Sequence, residues 1–281
     1  MHISTKEKLR SEWKMEIGIN LQRSVDLKTQ VKLLHRLGIR HTFFSSDWEL
    51  LPDAVELCRE HGITVDTLHA PFDGINDIWR PDESGDKMLE RLIGAVDKCR
   101  DNGIPIAVVH LSSGKPMPEI TEQGIHRFER LFAYAEEKVV KIALENQRFL
   151  ENLSFFLDRY PKIGFCWDVG HEYGFTKGIR FMKLYGDRAV TTHVHDNRCG
   201  VDTDDHLIPF DGKIDYKTVA ENLATSPYNG TLMLELKRFP KAKSGVSYES
   251  YSDKRFFRRA RRSAKKLIRM TIKIKNKYKE V

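Results

Sequence analysis

The chain has 281 residues, 47 lysines and arginines against 40 acids, and no apolar run near the ~20 residues that cross a bilayer. Its length suits one full core, on the scale of the ~250 residues of a single (β/α)8 barrel, and a hydrophobic content of 40% is that of a globular protein. The formal charge of +7 hides an asymmetry: residues 241–281 carry 15 bases against three acids, whereas the rest carries 32 bases against 37 acids.

Any attraction to a polyanion therefore belongs to the tail. The four cysteines, Cys58, Cys99, Cys166 and Cys199, form no paired motif and fit reduced thiols. The first 14 residues, MHISTKEKLRSEWK, lack the apolar segment of a secretory signal. Together these features lead to the expectation of a cytoplasmic protein.

Eight apolar β-like runs follow one another, most with a helical period behind them. Met15–Leu21 leads to a helix over 24–37, and Ile39–Ser45 to one over 50–61. Ile63–Leu68 ends in His69, Ala70 and Pro71, and a loop then leads to a helix over 86–101. Ile104–Val109 ends in His110 and precedes a helix over 123–137. Lys141–Leu144 ends in Glu145, ahead of a helix over 149–159. Ile163–Trp167 ends in Asp168, ahead of a short helix over 178–185. Ala189–Val194 opens into a run of histidines and acids before a helix over 216–224, and Thr231–Leu234 ends in Glu235. Gly38, Gly62 and Gly103 fall where helices stop, which suits the left-handed residue that closes a helix.

This alternation predicts an α/β fold, a (β/α)8 TIM barrel over residues 1–240, with a basic C-terminal helical extension over 241–281. An open doubly wound sheet is the alternative. The absence of a glycine-rich loop after the first run weakens its dinucleotide-binding version.

Six consecutive strands thus end in ligand-type residues: His69, His110, Glu145, Asp168, His193 and Glu235. His171 follows Asp168 by one helical turn, and Asp204 and His206 lie in the loop after the seventh strand, near His195, Asp196 and Asp205. One histidine at a strand end is usually a satisfied polar group. Nine ligand types at the face where barrel enzymes build their sites imply a divalent metal, because such a density is costly without a cation. Mixed imidazole and carboxylate ligands suit Mn, Mg, Co or Zn. Glu145 and Glu235, on strands five and eight, face each other across the mouth. Beside a metal that acidifies a neighbouring C–H or O–H, they are a base and its partner acid. That is what isomerising or epimerising a ketose or aldose requires.

The segments LHAPF, VVHLSSG, ALENQ, WDVGH, HVHDN, DDHLIPFDG and LMLELK, in this order over roughly residues 15–238, resemble the xylose isomerase-like barrel superfamily. That superfamily includes sugar and sugar phosphate isomerases and epimerases, inosose dehydratases and the type 2 AP endonucleases. The epimerase branch implies metal ligands at Glu145, Asp168, His193 and Glu235, with Glu145 and Glu235 catalytic. His193 is preferred to His195 because the family ligand stands three residues before an Asp-Asn pair, here Asp196–Asn197. The resemblance also implies that His171 contacts substrate hydroxyls. Arg198 either meets a substrate hydroxyl or phosphate or makes a surface salt bridge.

The endonuclease branch implies a three-zinc site and adds His69, His110, His171, Asp204 and His206 as further metal or substrate contacts. WDVGH departs from that branch's usual motif, and the acidic barrel body is a poor match to a duplex-binding face. The expected substrate is therefore a small carbohydrate, with nucleic acid only in the alternative reading. Trp79 either closes over a sugar ring or caps an apolar patch. Trp48, Phe43 and Phe44 read as packing residues. Lys115 reads as a solvated lysine, and Lys237 and Arg238 as possible phosphate contacts. The apolar side of the tail, with Phe257, Ala260, Ala264, Leu267 and Ile274, is expected to pack on the barrel or on a second subunit of a homo-oligomer. Its bases leave a polyanion or an anionic membrane as a partner.

Overall fold

The structure, a computed structural model, describes residues 15–176, 179–200 and 202–279. The N-terminal segment 1–14 and Gly178, the expected first residue of the short helix before Ala189, lie outside the described residues.

Among the described residues eight strands form: β1 (Ile17–Ile19), β2 (His41–Ser45), β3 (Thr64–His69), β4 (Ile106–Val109), β5 (Lys141–Glu145), β6 (Gly164–Asp168), β7 (Ala189–His193) and β8 (Leu232–Leu234). They make one sheet in the order β7-β6-β5-β4-β3-β2-β1-β8, and every pairing in it is parallel. Its two ends meet. Val194 N donates to Met233 O at 2.9 Å and Glu235 N donates to Val194 O at 3.2 Å, so β7 closes onto β8 and the doubly wound alternative falls.

The strands bury both faces. Val108, Ala143 and Cys166 pack with Ile106 and Val190 as a small cluster of their own. Val109, Leu144, Phe165 and Trp167 instead join the larger core shared with the helices. Side chains alternate along a strand. Two residues on from Val108, Ala143 and Cys166, on the same face, stand His110, Glu145 and Asp168.

Around the barrel lie α1 (Leu27–Arg36), α2 (Leu51–Glu60), α3 (Glu83–Asp101), α4 (Glu122–Glu137), α5 (Leu150–Arg159), α6 (Val169–Phe175), α7 (Phe181–Tyr185), α8 (Tyr216–Thr225) and α9 (Asp253–Lys279). Asp26, Asp82, Thr121 and Asp215 cap α1, α3, α4 and α8, each side chain accepting from a first-turn amide. The left-handed residues after α1, α2 and α3 are the expected glycines. After α4 the same place is held by Val139 at φ 59°, a costly conformation for a β-branched side chain.

The basic segment is part of the barrel wall. Helix α9 packs against α8, α1, β1 and β8, and Phe256, Phe257, Ala260, Ala264 and Leu267 are fully buried there. The residues after 240 thus supply the helix of the eighth β/α unit. Trp79 is also a core residue, since its Nε1 donates to Leu111 O at 2.8 Å and its ring packs on Phe128. It does not close over the mouth. Three elements among the described residues go beyond the sequence reading: 3-10 turns at Ile75–Trp79 and Ala242–Ser244, and α6, which starts directly on Asp168.

Candidate metal centre

The six strand-end residues and the three loop residues converge at one rim in three adjoining groups. In the first, His69 Nε2 lies 3.1 Å from His110 Nε2, and Glu145 Oε2 lies 2.7 Å from His110 Nε2 and 3.2 Å from His69 Nε2. In the second, Glu145, Asp168, His193 and Glu235 each offer a ligand atom, all within 4.8 Å of one another. His193 Nδ1 is 3.0 Å from Glu145 Oε1 and 3.7 Å from Glu235 Oε2. In the third, Asp204 lies 3.0 Å from His206 Nε2 and 3.7 Å from His171 Nε2. Glu145 is shared between the first two groups.

Local structure explains each placement. Asp168 Oδ1 accepts from His171 N at 2.5 Å, so the residue that ends β6 also starts α6 and turns His171 inward. Asn146 clamps that corner, donating to Asp168 O and accepting from Asp168 N, both at 2.8 Å. In the loop after β7, the Asp196 carboxylate accepts from the amides of Asn197, Phe210 and Ile214. Asn197 then donates to Gly170 O and accepts from Asp205 N. These two side chains fold the loop that carries Asp204 and His206. His206 sits there at φ 50°, a left-handed conformation held by that loop.

The imidazoles are oriented as metal ligands are. His69 Nδ1 stands 2.8 Å from Ala70 O, His171 Nδ1 3.0 Å from Asn146 O, and His206 Nδ1 3.2 Å from Glu235 O. A carbonyl oxygen only accepts, so each Nδ1 carries a proton and each ring turns its Nε2 on a carboxylate. Lone pairs facing carboxylates repel unless a proton or a cation lies between them, and a backbone carbonyl fixing the far nitrogen is a common second partner of metal-bound histidine. Asp168 Oδ2, Asp204 Oδ1, His193 Nε2 and both nitrogens of His195 are buried without a hydrogen-bond partner. Such orphans are costly, and the donor set fits a divalent cation.

The charges agree. Burial alone would raise the Glu145 carboxyl, yet His193 and His110 hold it well below the usual range. Burial is likewise outweighed at Glu235, held at about 2 by His193 and His206. At His195 burial favours the neutral ring, but Asp168 and Asp204 keep its pKa at about 9. Glu145 and Glu235 are thus anionic carboxylates set among imidazoles, an arrangement that suits a cation between them.

Several further side chains border the centre. His195, the rival to His193, has Nε2 3.3 Å from Asp168 Oδ1 and 3.7 Å from Asp204 Oδ1 and borders the second and third groups. Gln147 Nε2 lies 3.1 Å from both His110 Nε2 and His171 Nδ1. Phe43 stacks on His193 at 4.5 Å, Phe72 on His110 at 4.7 Å and Phe175 on His171 at 4.6 Å. Phe43 therefore packs on the centre itself, while Phe44 and Trp48 pack on each other.

Of the basic candidates, Arg198 donates to Lys243 O and lies 3.7 Å from Asp205, so it staples the loop and is not brought into the groups. Arg238 is buried against the Tyr248 carbonyl and Asp253, and Lys115 pairs with Asp202. Lys237 alone of these reaches the rim, 4.0 Å from Asp204. A cavity of about 100 Å³ opens over the centre between Asn20, Arg23, Phe43, His69, Phe72 and Glu235.

Among curated proteins the chain is 29% identical, over 163 residues, to the uncharacterized protein y4fM of Sinorhizobium fredii, covering 52% of this chain. The chain spans about half the length of that relative, 52%. An L-ribulose 3-epimerase structure superposes with a TM-score of 0.72 at 15% identity, covering 95% of this chain and 97% of the other. The IolI protein, solved with a zinc atom, superposes at 0.66 and 17% identity, covering 92% and 99%. These likenesses carry the fold. The family model for the xylose isomerase-like TIM barrel matches residues 25–271, through most of α9, and the chain belongs to that family.

Proposed function

We propose that this chain is a divalent-metal-dependent isomerase or epimerase, or a related lyase, acting on a sugar, sugar phosphate or polyol. One observation carries the reading: Glu145, Asp168, His193 and Glu235, from four different strand ends, offer ligand atoms within 4.8 Å of one another. Mn, Mg, Co or Zn held there would polarise adjacent hydroxyl and carbonyl oxygens of a substrate. Glu235 borders the cavity and takes the proton from the carbon beside the carbonyl, leaving an enediolate. Glu145, from the far side of the barrel, would pass on a proton drawn from the His193 imidazolium 3.0 Å away, to the other face for epimerisation or to the neighbouring carbon for isomerisation, after which Glu235 releases its proton to solvent and His193 regains one. His171 and Lys237, at the rim beside Asp204, would meet hydroxyl or phosphate oxygens of the substrate. The epimerase among the similar structures supports this reading.

The test is exchange. Metal-loaded protein is incubated with a panel of ketoses, aldoses and their phosphates in D2O, and deuterium at the carbon beside the carbonyl is followed by NMR. The reading requires exchange with at least one substrate and its loss in Glu235→Gln.

A second reading, a three-zinc phosphodiesterase acting on abasic DNA, is favoured by a specific feature. The His69–His110–Glu145 and His171–Asp204–His206 groups flank the four-ligand group and are themselves of cation size. Three bound metal ions by elemental analysis, with nicking of an abasic oligonucleotide that Glu235→Gln abolishes, would replace the first reading by the second.

A further inference from the structure

Helix α9 carries a second feature that the barrel mouth does not use. Its exposed side chains include Arg255, Arg258, Arg262, Lys266, Arg269, Lys273 and Lys277, at steps of three and four residues. That spacing keeps them on one side of a helix. From Arg255 to Lys277 the ridge is about 33 Å long at ~1.5 Å per residue. Acids scarcely touch it: Asp211 pairs with Arg259, and Asp253 pairs with Arg238. At the end nearest the mouth the ridge borders a groove of about 770 Å³, floored by Phe210 and Asp211 of the loop that also holds Asp204 and His206. Lys266 lies over the Phe210 ring at 3.8 Å and Arg255 over Tyr251 at 4.0 Å, so two of the cations are held in place by aromatic faces.

Like charges along 33 Å repel one another, and the remainder of the chain is acidic overall. We propose that this ridge is a docking surface for the phosphate backbone of a nucleic acid. A phosphodiester chain presents one charge per ~3.4 Å of each strand, so the ridge spans about ten nucleotides. Arginines predominate at the groove end, and their planar forks match phosphate oxygens. A bilayer is the poorer match. Phe256, Phe257 and Leu267 are wholly buried, and Ile268, Met270 and Ile274 pack on the core, so the helix keeps no free apolar stripe to enter lipid. The surface is independent of which reaction the mouth performs.

The test is fluorescence anisotropy of the full chain with labelled 20-mer single-stranded and duplex oligonucleotides of unrelated sequences, from 50 to 200 mM salt. About five neutralised phosphates predict a log–log slope near −4.5 on duplex and a loss of roughly 10²–10³-fold in affinity over that range, without sequence preference. The combined variant Arg258→Gln, Arg262→Gln, Lys266→Gln and Arg269→Gln should flatten the slope by about 3.6 and weaken binding at 50 mM salt more than tenfold. An unchanged melting temperature shows that it is folded; should it not be, Arg262→Gln with Lys266→Gln is read in its place, with a slope change near 1.8. The proposal is overturned if the wild type fails to bind either oligonucleotide at 50 mM salt. It is equally overturned if the variant binds with unchanged affinity and slope, or if vesicles containing phosphatidylserine are bound and oligonucleotides are not.

Discussion

His195 occupies the space that a side chain on Gly170 would fill: a Cβ at 170 would stand 1.8 Å from His195 Cε1. The glycine inside WDVGH is therefore a steric partner of the histidine inside HVHDN, and the two motifs specify each other across β6 and β7. The Gly170→Ala variant should displace the buried His195 ring and cost about 1–3 kcal/mol, the range for overpacking a core. Metal content should fall with it. Adding His195→Ala to that variant should recover much of the stability but not the metal, because the second change removes the clash and a donor together. Urea unfolding and elemental analysis of the four members of this cycle check the coupling. Additive stabilities would refute it.

Metal removal should be visible as lost stability, because a cation bound to the folded chain stabilises it by mass action. At a hundredfold excess over its dissociation constant the gain is about 2.7 kcal/mol. For a chain of this size that is several degrees of melting temperature. The gain should be larger at pH 8 than at pH 6, since a coordinating imidazole must offer its lone pair and protons compete for it. Differential scanning fluorimetry with EDTA and then with Mn, Mg, Co or Zn reads this directly. An identical melting temperature with every metal would contradict the donor-set argument.

Much of this centre was legible along the chain, for a physical reason. A strand buried on both faces reads as an apolar run, and the inward position at its end breaks that run with a histidine or a carboxylate. His110, Glu145 and Asp168 each stand two residues past a small inward side chain, so the strand period marks them. What the sequence hid depends on closure of the barrel. Gln147 lies outside any strand and meets His110 and His171 only because β4, β5 and β6 are neighbours. Helix α6 was masked by Gly170 and Gly174, poor helix formers kept because a side chain at either would strike His195 or the Thr203 carbonyl. Arg198 left two readings open, a substrate contact or a surface salt bridge, and the carbonyl of Lys243 to which it donates lies 45 residues on, where no local pattern points to it.

Val139 stores local strain in the turn after α4. It lies at φ 59° and is 88% exposed, so its side chain buries almost nothing in return. Left-handed backbone costs an L-residue roughly 1–2 kcal/mol. Val139→Gly should therefore raise stability by about 1 kcal/mol after the extra chain entropy of glycine is set against the relief. The midpoint of urea unfolding should rise with an unchanged slope. A drop in the midpoint would mean that Val139 makes apolar contacts outweighing its backbone conformation.

A pH effect on folding, separate from the metal centre, comes from the end of the barrel opposite the mouth. His41, at the start of β2, has Nδ1 2.7 Å from Asp66 Oδ1 on β3, and Asp66 Oδ2 accepts from Thr231 Oγ1 at 2.7 Å. The bond to Asp66 is the main cause that raises the His41 pKa above 6.5, with burial opposing it and the charges of Asp66 and Glu16 adding to it. A raised folded-state pKa means that the folded chain holds the proton more tightly than the unfolded chain. The pair therefore contributes its full stability below pH 6.5, and the contribution is lost as pH rises through the folded-state value. His41→Gln should destabilise the chain by about 1 kcal/mol at pH 5.5, the scale of a partly exposed ion pair, and by distinctly less at pH 8.5. Urea unfolding of both proteins at the two pH values, in the presence of EDTA, isolates this term from metal binding. An equal difference at both pH values would show that His41 acts by packing and not by charge.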